Sequence, residues 1–203
     1  LENGIHPATL INDAPVVVGN LTDEDLWRPE NDSGRFYGPT RVREALTFSR
    51  NLVSIRVLQQ LGVRKLIEMA DRTGFDVEEM QPNLTLALGT HAFTPLDIAR
   101  GYTAIANGGF RVEPWLIDRI EDVDGNVIFQ ADPLIACSEC ENPRADEDID
   151  EISRIEDLFE EIEPKFREAP RIIDERVTYA LTSMLEDVIK RGTGRRARVL
   201  ERK

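Results

Sequence analysis

No run in this sequence is apolar for long enough to cross a bilayer, and no positively charged, then apolar, leader opens it. Histidine is scarce. His6 and His91 lie far apart, without ligand spacing to each other or to the cysteines, so no four-ligand zinc set is visible. Cysteine is confined to Cys137 and Cys140. Positive charge is in deficit, with 25 Lys+Arg against 38 Asp+Glu and a formal net charge of −13. That balance argues against nucleic-acid binding by the whole surface. There is no internal repeat. What remains is a chain of 203 residues with 41% hydrophobic side chains, enough for the core of a domain of ordinary size.

The charge is uneven. Residues 141–168 carry 12 Asp+Glu against 4 Lys+Arg, whereas residues 190–203 carry 7 Lys+Arg against one Glu. The basic stretch reads as a solvated helix end and loop rather than a phosphate or nucleic-acid contact.

Residues 1–37 are loop-rich, with Pro7, Pro15 and Pro29 and a short strand candidate at Val16–Val18. Residues 40–73 read as a helical cluster. Val63, Leu66, Ile67 and Ala70 share one helical face there, and Gly74 stops it. The best-defined helix starts at Thr94, with Pro95 in the first position and Asp97 three residues after the cap. Its apolar face is Ile98, Ala99, Tyr102, Ile105 and Ala106. Residues 115–130 read as a hairpin turning at Asp124-Gly125. A last helix from about Asp174 places Val177, Leu181, Met184, Leu185 and Val188 on one face. Between them, residues 133–170 form an acidic stretch of different character.

The chemistry concentrates in Gly38 to Asn51. A helix runs to Phe48, stops at the polar turn Ser49-Arg50-Asn51, and a second helix follows to Leu61. Such a turn can set a hydroxyl and a carboxamide on one cleft wall, one to relay a proton and one to hold a substrate amide. The plainer alternative is that Asn51 caps the second helix and Ser49 decorates the turn.

Several segments, taken in order, resemble the transpeptidase domain of class A penicillin-binding proteins. They are Trp27-Arg28-Pro29-Glu30-Asn31, Tyr37-Gly38-Pro39-Thr40 running into Ser49-Arg50-Asn51, Leu86-Ala87-Leu88-Gly89-Thr90, Thr94 to Tyr102, Ala106-Asn107-Gly108-Gly109, and Met184 to Ile189 with Gly192-Thr193-Gly194. The resemblance spans about residues 1–132 and 170–203. The family uses three motifs, S-x-x-K, S-x-N and K-T-G. Only the middle one stands in this sequence. The resemblance therefore implies an internal fragment, part of one transpeptidase domain over residues 1–203, lacking the nucleophile and the oxyanion strand. Residues 133–170 match no core segment and read as an acidic insertion.

The implied fold is α/β (α+β), penicillin-binding transpeptidase or β-lactamase-like, of which this chain is mainly the helical subdomain plus a hairpin. The implied reaction is acyl transfer from the D-Ala-D-Ala end of a peptidoglycan stem peptide. β-Lactam antibiotics would acylate the same nucleophile, and no cofactor or metal is implied. The resemblance gives Ser49 the relay role and Asn51 the task of holding the substrate carbonyl. Trp27 borders the cleft. Related readings are a D,D-carboxypeptidase or class B transpeptidase of the same fold, or a non-catalytic relative that binds peptidoglycan or partner proteins. The resemblance places the domain at the periplasmic face of the inner membrane, with a glycosyltransferase domain and a membrane anchor outside this chain. In that compartment Cys137 and Cys140 fit a disulfide, with inert thiols or a metal as the alternatives. Glu79 and Asn83 mimic the Glu-x-x-x-Asn of class A β-lactamases, but they sit where an ordinary loop precedes Leu84 to Gly89, and we read them as structural, as we do His6 and His91.

Overall fold

The computed structural model describes residues 1–19, 26–137 and 167–200. Strand β1 (Leu10–Asp13) pairs antiparallel with β2 (Gly38–Arg41), Asp13 opposite Gly38. The chain passes from β2 straight into α1 (Val42–Thr47), turns, continues as α2 (Asn51–Leu61), and turns at Gly62 into α3 (Val63–Arg72). A 3-10 segment at Leu84–Leu88 leads to α4 (Pro95–Ala106) and the hairpin β3 (Arg119–Glu121) and β4 (Val127–Gln130). The short strands β5 (Leu134–Ile135) and β6 (Arg167–Glu168) pair in parallel. Helix α5 (Glu175–Lys190) and a 3-10 segment at Arg195–Leu200 follow.

Helix α2 lies at the centre of the packing. It buries Leu52, Val53, Ile55 and Leu58, each burial contributing about 1.5–3 kcal/mol. Val53 joins Ile11 of β1 and Ala45 of α1 in one apolar cluster. Leu52 and Ile55 join Val16 in a second, against which Val18, Trp27, Leu84 and Ala87 pack. A helix lined this way on two sides holds its N-terminus, and so the preceding turn, in a fixed place.

Local signals in the sequence match local structure. Thr94 and Asp97 form a reciprocal capping box with Pro95 at the first position, and the Asp124-Gly125 turn closes the hairpin. Three expectations change. The strand in the first segment is Leu10–Asp13, while Val18 makes only a single bridge to Trp27. The start of the expected helix, Gly38–Arg41, is the partner strand β2. Helix α4 turns Gly101 and Ala104 inward, and Ile98 and Tyr102 stay exposed. The Phe75 ring lies over Gly101, where any Cβ would clash, so a glycine rather than an apolar side chain makes this contact. Residues 138–166 of the expected acidic insertion lie outside the described residues, but its flanks are tied down. Ala169 is buried and its N–H donates to the Ile135 carbonyl.

Polar contacts clamp α5 onto α1. Arg43 donates to the Ser183 carbonyl and to Asp187, each at 3.0 Å. Arg191 donates to Glu44 at 2.9 and 2.5 Å and to Asp187 at 3.0 Å. The hydrogen bond from Arg191 holds the Glu44 carboxyl below its ordinary value, against opposing desolvation. Arg191 and then Arg43 hold Asp187 down in the same way. Because folding lowers these pKa values, the clamp's contribution is present above about pH 4, the unfolded carboxylate range, and fades as pH falls through the lower folded values. A pH series of melting temperatures is expected to drop more steeply below pH 4 for the native protein than for a Glu44→Gln, Asp187→Asn variant. Parallel curves would remove the clamp from acid stability.

Candidate active-site turn

Ser49 sits in the left-handed region, φ 51°, as the sole non-glycine residue with positive φ among those described. The cause is the way α1 ends. The Arg50 N–H donates to the Ala45 carbonyl at 2.8 Å and the Ser49 N–H to the Leu46 carbonyl at 3.2 Å. These two bonds make a Schellman motif with Ser49 at the position glycine usually fills. An L-residue there costs about 1–2 kcal/mol. Ser49 is exposed, and its hydroxyl makes no hydrogen bond among the described residues.

Arg50 is the N-cap of α2 but gives it no side-chain capping bond. Its guanidinium stacks 3.5 Å from the centre of the Tyr37 ring instead. Hydrogen bonding with Ser33, followed by the Arg50 guanidinium, lowers the Tyr37 pKa. Asn51 is the first helical residue rather than the cap, and its Nδ2 donates to the Glu30 carbonyl at 2.9 Å. The plain capping role is therefore not the one it fills. Among the described residues its Oδ1 and second Nδ2 hydrogen have no other partner.

A second segment is docked beside this turn. The Thr193 N–H donates to the Thr47 carbonyl at 3.2 Å, two residues before Ser49. A Cβ on Gly192 would come within 2.1 Å of that same carbonyl oxygen, so this approach requires glycine. Thr47 is fully buried, its hydroxyl bonded to the Arg43 carbonyl at 2.8 Å. The Gly192-Thr193-Gly194 turn and the Ser49 turn are thus held at one end of α1.

The remaining candidates lie outside the turn itself. Trp27 packs on the Val16, Leu52 and Ile55 cluster and pairs its backbone with Val18. Cys137 follows β5, and Cys140 lies outside the described residues. Asn83 caps the 3-10 segment, accepting from the Thr85 N–H, and Glu79 is exposed. His91 packs edge-on against Phe93. Among the described residues no group of His, Cys, Asp or Glu is placed to hold a metal ion, and no helix is long and apolar enough to cross a membrane. Sequence reasoning missed Asp13 and Asn31, which are 0% and 4% exposed and bonded to each other next to Asn51. Asn31 lies in a segment that carried the family resemblance, but nothing in either residue's neighbourhood signals the pairing.

The family model for the penicillin binding protein transpeptidase domain matches residues 1–201. The chain is 44% identical over its whole length to penicillin-binding protein 1A of Pseudomonas aeruginosa, covering 26% of that relative. It is similar to the crystal structure of penicillin-binding protein 1A from Haemophilus influenzae, with a TM-score of 0.77 and 34% identity over 96% of this chain and 28% of that one. The fold also matches the imipenem acyl-enzyme complex of penicillin-binding protein A from M. tuberculosis, with a TM-score of 0.61 and 19% identity over 93% of this chain and 40% of that one. The chain spans between 17% and 26% of the length of the curated relatives it matches.

Proposed function

This chain belongs to the penicillin-binding protein transpeptidase family, and from that premise we propose that it forms the serine–asparagine wall of an acyl-transfer site. The enzyme is a longer parent protein that cross-links peptidoglycan stem peptides and is acylated by penicillin. The carrying observation is the strained Ser49. A serine in a position that favours glycine, with its hydroxyl exposed and uncommitted, is held there at a cost in stability, as residues at reacting sites often are.

The roles follow from the groups. A nucleophilic serine outside this chain attacks the carbonyl of the D-Ala-D-Ala amide, and its proton must leave as the bond forms. The Ser49 hydroxyl both accepts and donates, so it passes that proton toward the departing D-Ala nitrogen. Asn51 spends one Nδ2 hydrogen on Glu30 and offers the other, with Oδ1, to the substrate peptide. An amine of a second stem then attacks the acyl-enzyme and releases the serine. The sequence contains no Ser-x-x-Lys and no Lys-Thr-Gly, so nucleophile, basic partner and second oxyanion amide come from the parent. Trp27 backs the same wall through the cluster it shares with Leu52.

The test is covalent labelling of the parent with a fluorescent penicillin, followed by denaturation and electrophoresis. A labelled band, competed by unlabelled penicillin, is expected. An unlabelled parent would leave a non-catalytic, peptidoglycan-binding relative as the reading.

The parent works at the periplasmic face of the inner membrane, and residues 133–170 are an acidic excursion from the domain in which Cys137 and Cys140 form a disulfide. The parallel pairing of β5 and β6 demands a crossover of about a dozen residues or more. Replacing residues 138–166 with a Gly/Ser linker of that length is expected to leave penicillin acylation of the parent within about twofold, since acidic side chains dominate the composition of the stretch. A loss of folding would assign it to the core. Titrating the unmodified parent after denaturation without reductant is expected to find neither thiol free. Two free thiols would exclude the pairing.

A further inference from the structure

We propose that Asp13 and Asn31 are positioning residues for the Ser49-Arg50-Asn51 turn, acting through the N-terminus of α2. This rests on the transpeptidase reading above. A helix begins with N–H groups that have no intrahelical partner, and Arg50 supplies none to α2. Asn31 supplies it from another segment. Its Oδ1 faces the Leu52 N–H at 3.4 Å. The neighbouring carbonyl, on Glu30, takes the Asn51 side chain at 2.9 Å. One two-residue stretch therefore holds both the helix start and the substrate-facing amide.

Asp13 fixes which way the Asn31 amide points. Its buried carboxylate accepts from Asn31 Nδ2 at 2.8 and 3.0 Å and from the Tyr37 N–H at 3.2 Å. Asn31 Nδ2 also donates to the Arg35 carbonyl at 2.8 Å. Carboxylate and carbonyl oxygens accept only, so the amide must present its NH2 to them and its oxygen to Leu52. Turning it over would leave acceptors facing an acceptor in a site closed to water. The same carboxylate anchors Tyr37, whose ring carries the Arg50 guanidinium. Asp13 thus touches both supports of the turn, through Asn31 to Asn51 and through Tyr37 to Arg50, without reaching the cleft itself.

The experiment uses the parent enzyme and fluorescent penicillin, and separates the amount of protein that can be labelled from the acylation rate per labelled site. A variant that merely folds less well loses labelling capacity. A variant with a misplaced turn keeps the capacity and labels slowly. Asn31→Ala is expected to keep labelling capacity and lower the per-site rate about 10- to 100-fold, the scale of an ångström-sized misplacement of a reacting group. Asp13→Asn, of equal volume, is expected to slow it in the same direction by less. In the Asn51→Ala background, Asn31→Ala is expected to slow labelling by less than it does alone, because part of its effect, exerted through the start of α2, is on the placement of Asn51. A wild-type rate in both single variants would overturn the proposal. So would a loss of labelling capacity, or of folding, with no slowing per site, and so would full additivity with Asn51→Ala. Absence of labelling in the wild-type parent would instead sink the transpeptidase reading, which keeps the two failures apart.

Discussion

Ser49→Ala in the parent enzyme is expected to slow acylation by penicillin by about 10²–10⁴, the usual scale for losing a proton-transfer group. The hydroxyl is removed and the neighbouring contacts stay, since the bonds that close α1 are made by backbone groups of Ser49 and Arg50. Ser49→Gly separates chemistry from fold. It also removes the hydroxyl, but it relieves a left-handed conformation that costs an L-residue about 1–2 kcal/mol. It is expected to be as slow as Ser49→Ala with no loss of melting temperature. If both variants acylate at the native rate, Ser49 leaves the mechanism. If Ser49→Gly alone is restored, the turn's shape matters and the hydroxyl does not.

The second large effect is an absence. This chain by itself, 203 residues without Ser-x-x-Lys or Lys-Thr-Gly, is expected to form no covalent adduct with penicillin. Acylation needs a nucleophile, a basic partner and oriented oxyanion donors together. In the roles proposed above, Ser49 and Asn51 assist a nucleophile and do not replace one. The isolated chain is also expected to be marginally stable or to aggregate. Its hairpin exposes Ile120, Val127, Ile128 and Phe129, and Trp115 and Leu116 before it are exposed as well. A labelled band from the isolated chain, mapping to Ser49 after digestion, would overturn the division of roles.

What the sequence disclosed was local. The Thr94–Asp97 box, the Asp124-Gly125 turn and the helix break at Ser49 each depend on residues within one or two turns of chain, and each appears where it was expected. The family resemblance pointed to Ser49 and Asn51, and the structure adds why that turn has its shape. Pairings across long separations stayed hidden. Strands β1 and β2 are four residues each, and Gly38–Arg41 reads as the run-up to a helix because Val42 begins one immediately. The inward face of α4 was misjudged because Gly101 and Ala104, which make its close contacts, carry almost no hydrophobic signal. Asp13 and Asn31 escaped notice for a similar reason. A buried carboxylate and its amide partner, 18 positions apart, leave no pattern in hydropathy, and only their geometry ties them to Asn51.

The most direct measurement is a crystal structure of the parent enzyme carrying a penicillin adduct. The expected result is an adduct on a serine outside this chain, with Ser49 Oγ within hydrogen-bond reach of that serine's oxygen or its basic partner. Asn51 Nδ2 should lie within reach of the amide carbonyl of the bound antibiotic. An adduct on Ser49 itself, or Ser49 and Asn51 facing opposite sides of the cleft wall, would contradict the assignment.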